Sequence, residues 1–281
     1  MKQILVPFDF SIDSEKALDF AYGFAQNSGA KINLLHVVEH NVQLNTRSQA
    51  LLNYEQQFRD ELVKSHTQHF EALKISEKHK DVDIAYEVKI GVPLHSIIDS
   101  ITEYEADLII MGTKGTSGIK EFLIGSNTEK VVRLAHCPVI TVPGHSNTTS
   151  IQNIVFAINF EDELGPIFNE LQKVQAHFEA KVHLLWVDTL QVMASDTPIL
   201  ERLRMAAVDH QLANFEVHTV QAASPEKGIL HFANDHQMDM IAMATHGFKG
   251  LAHLLLGSVA ENVVNHTQIP VWTFGLNNGT N

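Results

Sequence analysis

One stretch of this chain is written twice. "DLIIMGTKGTSGIKEFLIGSNTEKVVRLAHCPV", Asp107 to Val139, aligns without a gap on "DMIAMATHGFKGLAHLLLGSVAENVVNHTQIPV", Asp239 to Val271, at a constant offset of 132, and 14 of 33 positions are identical. Chance would give roughly two identities. Upstream, "ILVPFDF" (Ile4 to Phe10) matches "IVFAINF" (Ile154 to Phe160), and "KINLLHVVE" matches "KVHLLWVDT", both at an offset of 150. The second copy is therefore 18 residues shorter between its second and third strands. A period of roughly 140 residues is too long for a solenoid and implies tandem duplication of a whole domain. The polar stretch "PGHSNTTSIQ" (Pro143 to Gln152) reads as the boundary. It predicts domains over residues 1–146 and 150–281.

Within each copy, short apolar runs alternate with helical patterns. The first copy predicts strands at "QILVPFD", "KINLLHVVE", "VDIAYEVKIG", "ADLIIMG" and "CPVITV". Helices are expected from Ser14 to about Ser28, from roughly Ser48 to Lys78, after Pro93 and from about Asn127. Such βαβ units give an α/β fold, here two tandem doubly wound domains, each a five-stranded parallel sheet with helices on both faces. The long second helix is expected to cover the sheet. The last strands, "CPVITV" and "IPVWTF", are natural edges. They could pair inside the chain as a pseudo-dimer or across a true homodimer.

Composition removes several classes. A net charge of −13 argues against a nucleic-acid partner or an anionic membrane, since both reward basic surfaces. The single cysteine, Cys137, allows no intramolecular disulfide and no Cys-rich metal site; in "HCPVITV" it reads as a small core hydrophobe. The N-terminal run lacks the apolar core of a signal peptide and no apolar run approaches a membrane span, so a cytoplasmic location is expected. The 17 histidines include His66 and His69 one helical turn apart, and His36 and His40 flanking the end of the second strand. No set has the tight spacing of a zinc site, so surface histidines and no metal are expected.

The third feature is glycine. Gly112, Gly115, Gly118 and Gly125 crowd one stretch after the fourth strand, with Lys114 among them. Either the loop needs unusual backbone angles, or an anion must approach bare amides. Gly125-Ser126 and Gly257-Ser258 each precede a helical pattern with a glutamate three residues on, Glu129 and Glu261, which predicts a capping box. A helix N-terminus carries unpaired N–H groups and partial positive charge, and upstream glycines let a phosphate come close. The spacing matches neither the dinucleotide fingerprint nor the Walker loop.

The pattern G-x2-G-x9-G-S after the fourth strand, with "VPFDFS" near the N-terminus and "CPV" in the last strand, resembles the universal stress protein family, in its tandem two-domain form. The resemblance implies an ATP site in the first copy, with or without Mg²⁺. Pro7 and Asp9 would lie beside the nucleoside, and the Val38 backbone beside adenine. Gly112 and Gly115 would line ribose and phosphates, and Gly125 and Ser126 would hold the phosphate tail. Asn127 stands where the family usually has an aliphatic residue, and could reach a phosphate or do nothing. In the second copy Pro7 becomes Ala157, Asp9 becomes Asn159, Gly91 becomes Ala223 and Gly112 becomes Ala244. That copy is expected to bind weakly or not at all, and its glycine loop carries His246 opposite Lys114.

Three functions remain open. The first is an ATP-binding stress-response regulator that acts with an unidentified protein partner and has no assigned catalytic residue. The second is a slow ATPase, although no metal-ligand and nucleophile set is identifiable. The third is an interaction module with vestigial loops.

Overall fold

The computed structural model describes residues 1–40, 48–73, 75, 79–115, 124–146, 150–160, 164–189, 197–245 and 258–275. Gly118, His246, Gly247 and Gly257 lie outside the described residues, as does the side chain of Ser258. The strands are runs of branched residues with little polar alternation. Ile4, Leu5 and Val6 are all fully buried, as a strand covered on both faces requires.

The first half runs β1 (Gln3–Pro7), α1 (Ile12–Ser28), β2 (Lys31–Val38), α2 (Gln49–Leu73), β3 (Ile84–Ile90), α3 (Pro93–Glu103), β4 (Leu108–Gly112), α4 (Ser126–Leu134) and β5 (Val139–Val142). The second repeats it as β6 (Asn153–Ala157), α5 (Leu164–Phe178), β7 (Lys181–Asp188), α6 (Thr197–Asp209), β8 (Phe215–Gln221), α7 (Pro225–Asp235), β9 (Met240–Thr245), α8 (Ser258–His266) and β10 (Val271–Gly275). Helix α1 begins two residues earlier than the sequence pattern predicts, because the Ser11 hydroxyl accepts the Ser14 N–H as an N-cap. It ends at Gly29, whose φ of 67° is the left-handed C-cap conformation.

The strands form one sheet in the order β3-β2-β1-β4-β5-β10-β9-β6-β7-β8. Each half is a parallel five-stranded doubly wound sheet, and β5 joins β10 antiparallel through Val139↔Thr273, Ile140↔Trp272 and Thr141↔Val271. The edges pair inside the chain. Thr141 donates to the Val271 carbonyl at 3.4 Å and Thr273 to the Val139 carbonyl at 3.2 Å, so the joint repeats itself across a local two-fold. One apolar layer runs continuously over each face of both halves. Between α1 and α5, Phe24 stacks on His177 at 3.6 Å, and Phe20 meets Phe178. Burial pushes His177 down to about 4, with the amino terminus adding to it.

Helix α2 departs from expectation. Of its residues only Phe70 is buried, while Leu51, Leu52, Tyr54 and Phe58 are exposed. Glu55 meets His40 at 2.7 Å, His66 packs on Phe10 and His36, and Phe70 enters the core, so the helix lies along the body on one side and leaves its N-terminal apolar residues to solvent. Cys137 is a buried core residue, and burial pushes its thiol up to about 12. Among the described residues no helix is long and apolar enough to cross a membrane.

Candidate functional site

In the first half the strand order reverses between β1 and β4, whose carboxyl ends diverge into different connections. Doubly wound sheets leave a crevice at such a point. A cavity of about 430 Å³ lies there, within the range of small-molecule sites. Its lining includes Pro7, Asp9, Gly112, Gly115, Gly125, Ser126 and Asn127, so the fold gathers seven of the eight expected positions.

Val38 is the exception. Its neighbours Val37 and Glu39 line the cavity, and Val38 itself is not part of that lining. Its carbonyl accepts the Gly91 N–H at 3.1 Å.

Two carboxylates organise the site, Asp9 in the cavity lining and Asp13 behind it. Asp9 Oδ1 accepts from the Ser11 N–H at 3.2 Å and from the Ser11 hydroxyl at 2.5 Å. The intervening Phe10 has a φ of 62°, an uncommon conformation for a bulky residue, which turns the chain sharply from β1 into α1. Asp9 Oδ2 faces Gly115, where a Cβ would stand 2.7 Å from it. The second carboxylate, Asp13, was not legible in the sequence. Its Oδ2 accepts from the Thr113 hydroxyl and the Lys114 N–H, both at 3.0 Å.

These contacts separate the roles of the glycines. Among the described residues Gly29 is the only glycine with positive φ, so unusual backbone angles do not explain Gly112, Gly115 or Gly125. A Cβ on Gly112 would lie 2.7 Å from the Asp13 backbone; this glycine lets α1 seat against β4. Gly115 makes room for Asp9. Gly125 is different. A Cβ there would meet nothing closer than the Thr113 carbonyl at 3.5 Å, an ordinary contact. Among the described residues nothing requires glycine at 125.

Gly125 is also the N-cap of α4, with extended φ and ψ of −62° and 140° and no side-chain capping bond. The capping box is thus corrected: Ser126 is the first helical residue and does not cap. Gly125 N–H donates to the Thr113 carbonyl at 2.7 Å, and the Thr128 hydroxyl donates to the Gly112 carbonyl at 3.0 Å. Both bonds tie the start of α4 to the end of β4. The first amides of the helix, at Ser126 and Asn127, have no intrahelical acceptor and stand at the cavity lining.

Histidine placement also departs from expectation. His36 is buried beside the cavity, bonded through Nδ1 to the Phe8 carbonyl at 2.8 Å and stacked on His66. Burial, with His66 adding to it, holds its pKa below the ordinary histidine value against the opposing Phe8 bond. Lys114 is exposed and borders the cavity.

A doubly wound sheet repeated in tandem, with this cavity at its first switch point, defines the class, and the chain belongs to the universal stress protein family. The family's sequence model matches residues 1–143 and again 150–274. Along its whole length the chain is similar to the universal stress protein Slr1230 of Synechocystis sp., 23% identical over 291 residues, covering 98% of this chain and 100% of that one. Over half its length it is similar to the universal stress protein YxiE of Bacillus subtilis, 33% identical over 146 residues, covering 50% of this chain and 97% of that one. The crystal structure of a universal stress protein from Archaeoglobus fulgidus shares the fold, with a TM-score of 0.71 at 21% identity, covering 99% of this chain and 98% of that one.

Proposed function

We propose that the first half binds an adenine nucleotide, ATP with or without Mg²⁺, and that the protein is a regulator that responds to occupancy. The observation that carries this reading is the start of α4, without a side-chain cap, opening into the cavity beside Gly125, where an added Cβ would meet only ordinary contacts among the described residues. Unpaired amides with the positive end of a helix suit a phosphate group, and the missing Cβ at Gly125 permits close approach. In a chain of net charge −13 such local dipoles, with Lys114 at the rim, offset a repelling field.

The remaining groups assign the rest of the ligand by chemistry. Asp9, already oriented by Ser11, suits the ribose hydroxyls. Val37 and Ile97 offer apolar surface to the base, next to the Val38 backbone. Pro7, Gly112 and Gly115 line the path between. Asp9 is engaged as an acceptor from Ser11, which favours an anchor over a catalytic base and a switch over turnover. The second half, with Asn159 and Ala157 at the matching strand end, is proposed to bind weakly or not at all. Pairing of β5 with β10 occupies edges that a homodimer would otherwise use, so any self-association falls on another surface. An acidic cytoplasmic protein of this kind suits a protein partner in a stress response.

Native mass spectrometry of the full chain, purified without added ligand and then mixed with ATP, tests the reading. A mass increment of one nucleotide is expected. Absence of any increment at millimolar ATP would leave an interaction module, and release of ADP on adding Mg²⁺ would favour the slow ATPase.

A further inference from the structure

The second half carries a cluster that the nucleotide reading does not use. On one face of β7 and β8 stand His183, Glu216 and His218, paired by the register His183↔Glu216 and Leu185↔His218. The opposite face takes Val182, Leu184 and Val217 into the apolar layer. His183 Nδ1 lies 3.0 Å from His218 Nε2 and 3.7 Å from Glu216 Oε2, and His218 Nε2 lies 3.6 Å from that same oxygen. Three donor atoms from three side chains thus form a compact triangle.

We infer that His183, Glu216 and His218 bind a divalent transition-metal ion of the zinc type. A tetrahedral zinc with bonds of ~2.0–2.1 Å sets its ligand atoms ~3.3–3.4 Å apart. The triangle has nearly these edges, and a point ~2.0 Å from all three atoms exists without moving the backbone. Two imidazoles and a carboxylate are a borderline donor set suited to Zn²⁺ rather than to Mg²⁺ or Ca²⁺.

The surroundings orient the donors. Asn153 presents Oδ1 to His183 Nε2 at 3.2 Å, so that nitrogen carries the proton and Nδ1 turns its lone pair toward His218. Lys181 holds Glu216 Oε1, leaving Oε2 for the metal. His218 packs against Phe232 of α7, and the ring of His236 stands 6.0 Å from it, which leaves the fourth position to water. On binding, neutral His218 takes its Nδ1–H tautomer and offers the Nε2 lone pair; the proton lost from Nε2 to solvent is regained at Nδ1, and the ion stands where the Nε2–H of the His183–His218 bond stood.

Among the described residues the cluster is confined to the second half. The register-equivalent positions on β2 and β3 are Asn33, Ala85 and Glu87, with Asn33 bonded to Gln3 at 3.0 Å. β8 is a sheet edge and Glu216 is about half exposed, so the ion would have access from solvent and would pin the edge strand to β7.

Calorimetric titration of Zn²⁺ into the full chain, stripped with a chelator, tests the inference alongside Glu216→Gln, His218→Phe and His183→Asn. One site per chain is expected, weakened more than ~10-fold by each substitution. Co²⁺ in the same site is expected to give the visible absorption of a tetrahedral centre in wild type and not in the variants. Glu216→Gln alters a half-exposed side chain and keeps the core intact, so it decides the matter even where a histidine variant fails to fold. Zn²⁺ affinity unchanged by Glu216→Gln, or no binding in wild type, would overturn the inference.

Discussion

The two halves share a sheet topology and differ in what they place on it. The first gathers Asp9, three glycines and a helix start without a side-chain cap at its β1/β4 crevice, with Asp13 behind them, whereas the second has Asn159 and Ala157 at the matching strand end. Conversely, the outer strands of the second half carry His183, Glu216 and His218, and those of the first carry Asn33, Ala85 and Glu87. Even the backbone differs: Phe10 adopts a φ of 62° after Asp9, and Phe160, its counterpart, does not have positive φ. The conformation of Phe10 brings Ser11 back onto the Asp9 carboxylate, so local strain accompanies the acid and not its amide replacement. Duplication preserved the apolar runs that make both sheets and left the polar positions free to diverge.

The largest effect expected from breaking this asymmetry is structural. Gly112→Ala puts a methyl against the Asp13 backbone, and a loss of about 2 kcal/mol of stability is expected from overpacking. Thermal unfolding would register it as a drop of several degrees, and binding should weaken with it. Gly125→Ala should behave oppositely. Its added methyl finds only ordinary contacts, so the unfolding temperature should hold while ATP affinity falls at least ~10-fold, about 1.4 kcal/mol. Equal losses of stability in the two variants would show that Gly125 is there for the fold.

A smaller change is expected from Asp9→Asn, which copies Asn159 into the first half. An amide still accepts from Ser11 but presents no carboxylate to a ribose; affinity should fall ~5-fold, about 1 kcal/mol, with little change in stability. The reverse change, Asn159→Asp, should create no second site, because Pro7 and Gly112 remain Ala157 and Ala244 there.

The smallest effect belongs to the seam between the halves. His177 stacks on Phe24 and has a folded pKa of about 4, below the ordinary value near 6.5. The unfolded chain therefore takes up this proton first as pH falls. The stabilisation from the neutral ring is full above about pH 6.5 and is lost on acidification toward 4. His177→Phe keeps the stacking and removes the titration, so the unfolding temperature of the variant should fall less between pH 6.5 and 4.5 than that of wild type.

How much was legible beforehand follows from the range of the interactions. The strands, the duplication and the switch-point crevice are written in local apolar runs and in one repeated segment, so they could be read directly. Asp13 could not, because its bonds to Thr113 and Lys114 join residues about a hundred positions apart. His183 and His218 are likewise separated by 35 positions, and only strand register brings them together, which is why spacing suggested no metal. The capping box was misassigned by one residue because Ser126 followed by Glu129 satisfies the pattern whether or not the serine caps. Helix α2 has an amphipathic sequence, but of its apolar residues only Phe70 is buried, while Leu51, Leu52 and Tyr54 stay exposed. The glycines were the most ambiguous signal: the same residue type serves packing at Gly112 and room for a carboxylate at Gly115, and meets only ordinary contacts among the described residues at Gly125.

The central claim is that one half of a duplicated fold binds nucleotide through main-chain amides while the other does not. Calorimetric titration of the full chain with ATP, read for the number of sites, tests it most directly. The account predicts about one site per chain, markedly weakened in Gly125→Ala at unchanged folding stability. Two equivalent sites, or a single site indifferent to that substitution, would contradict it.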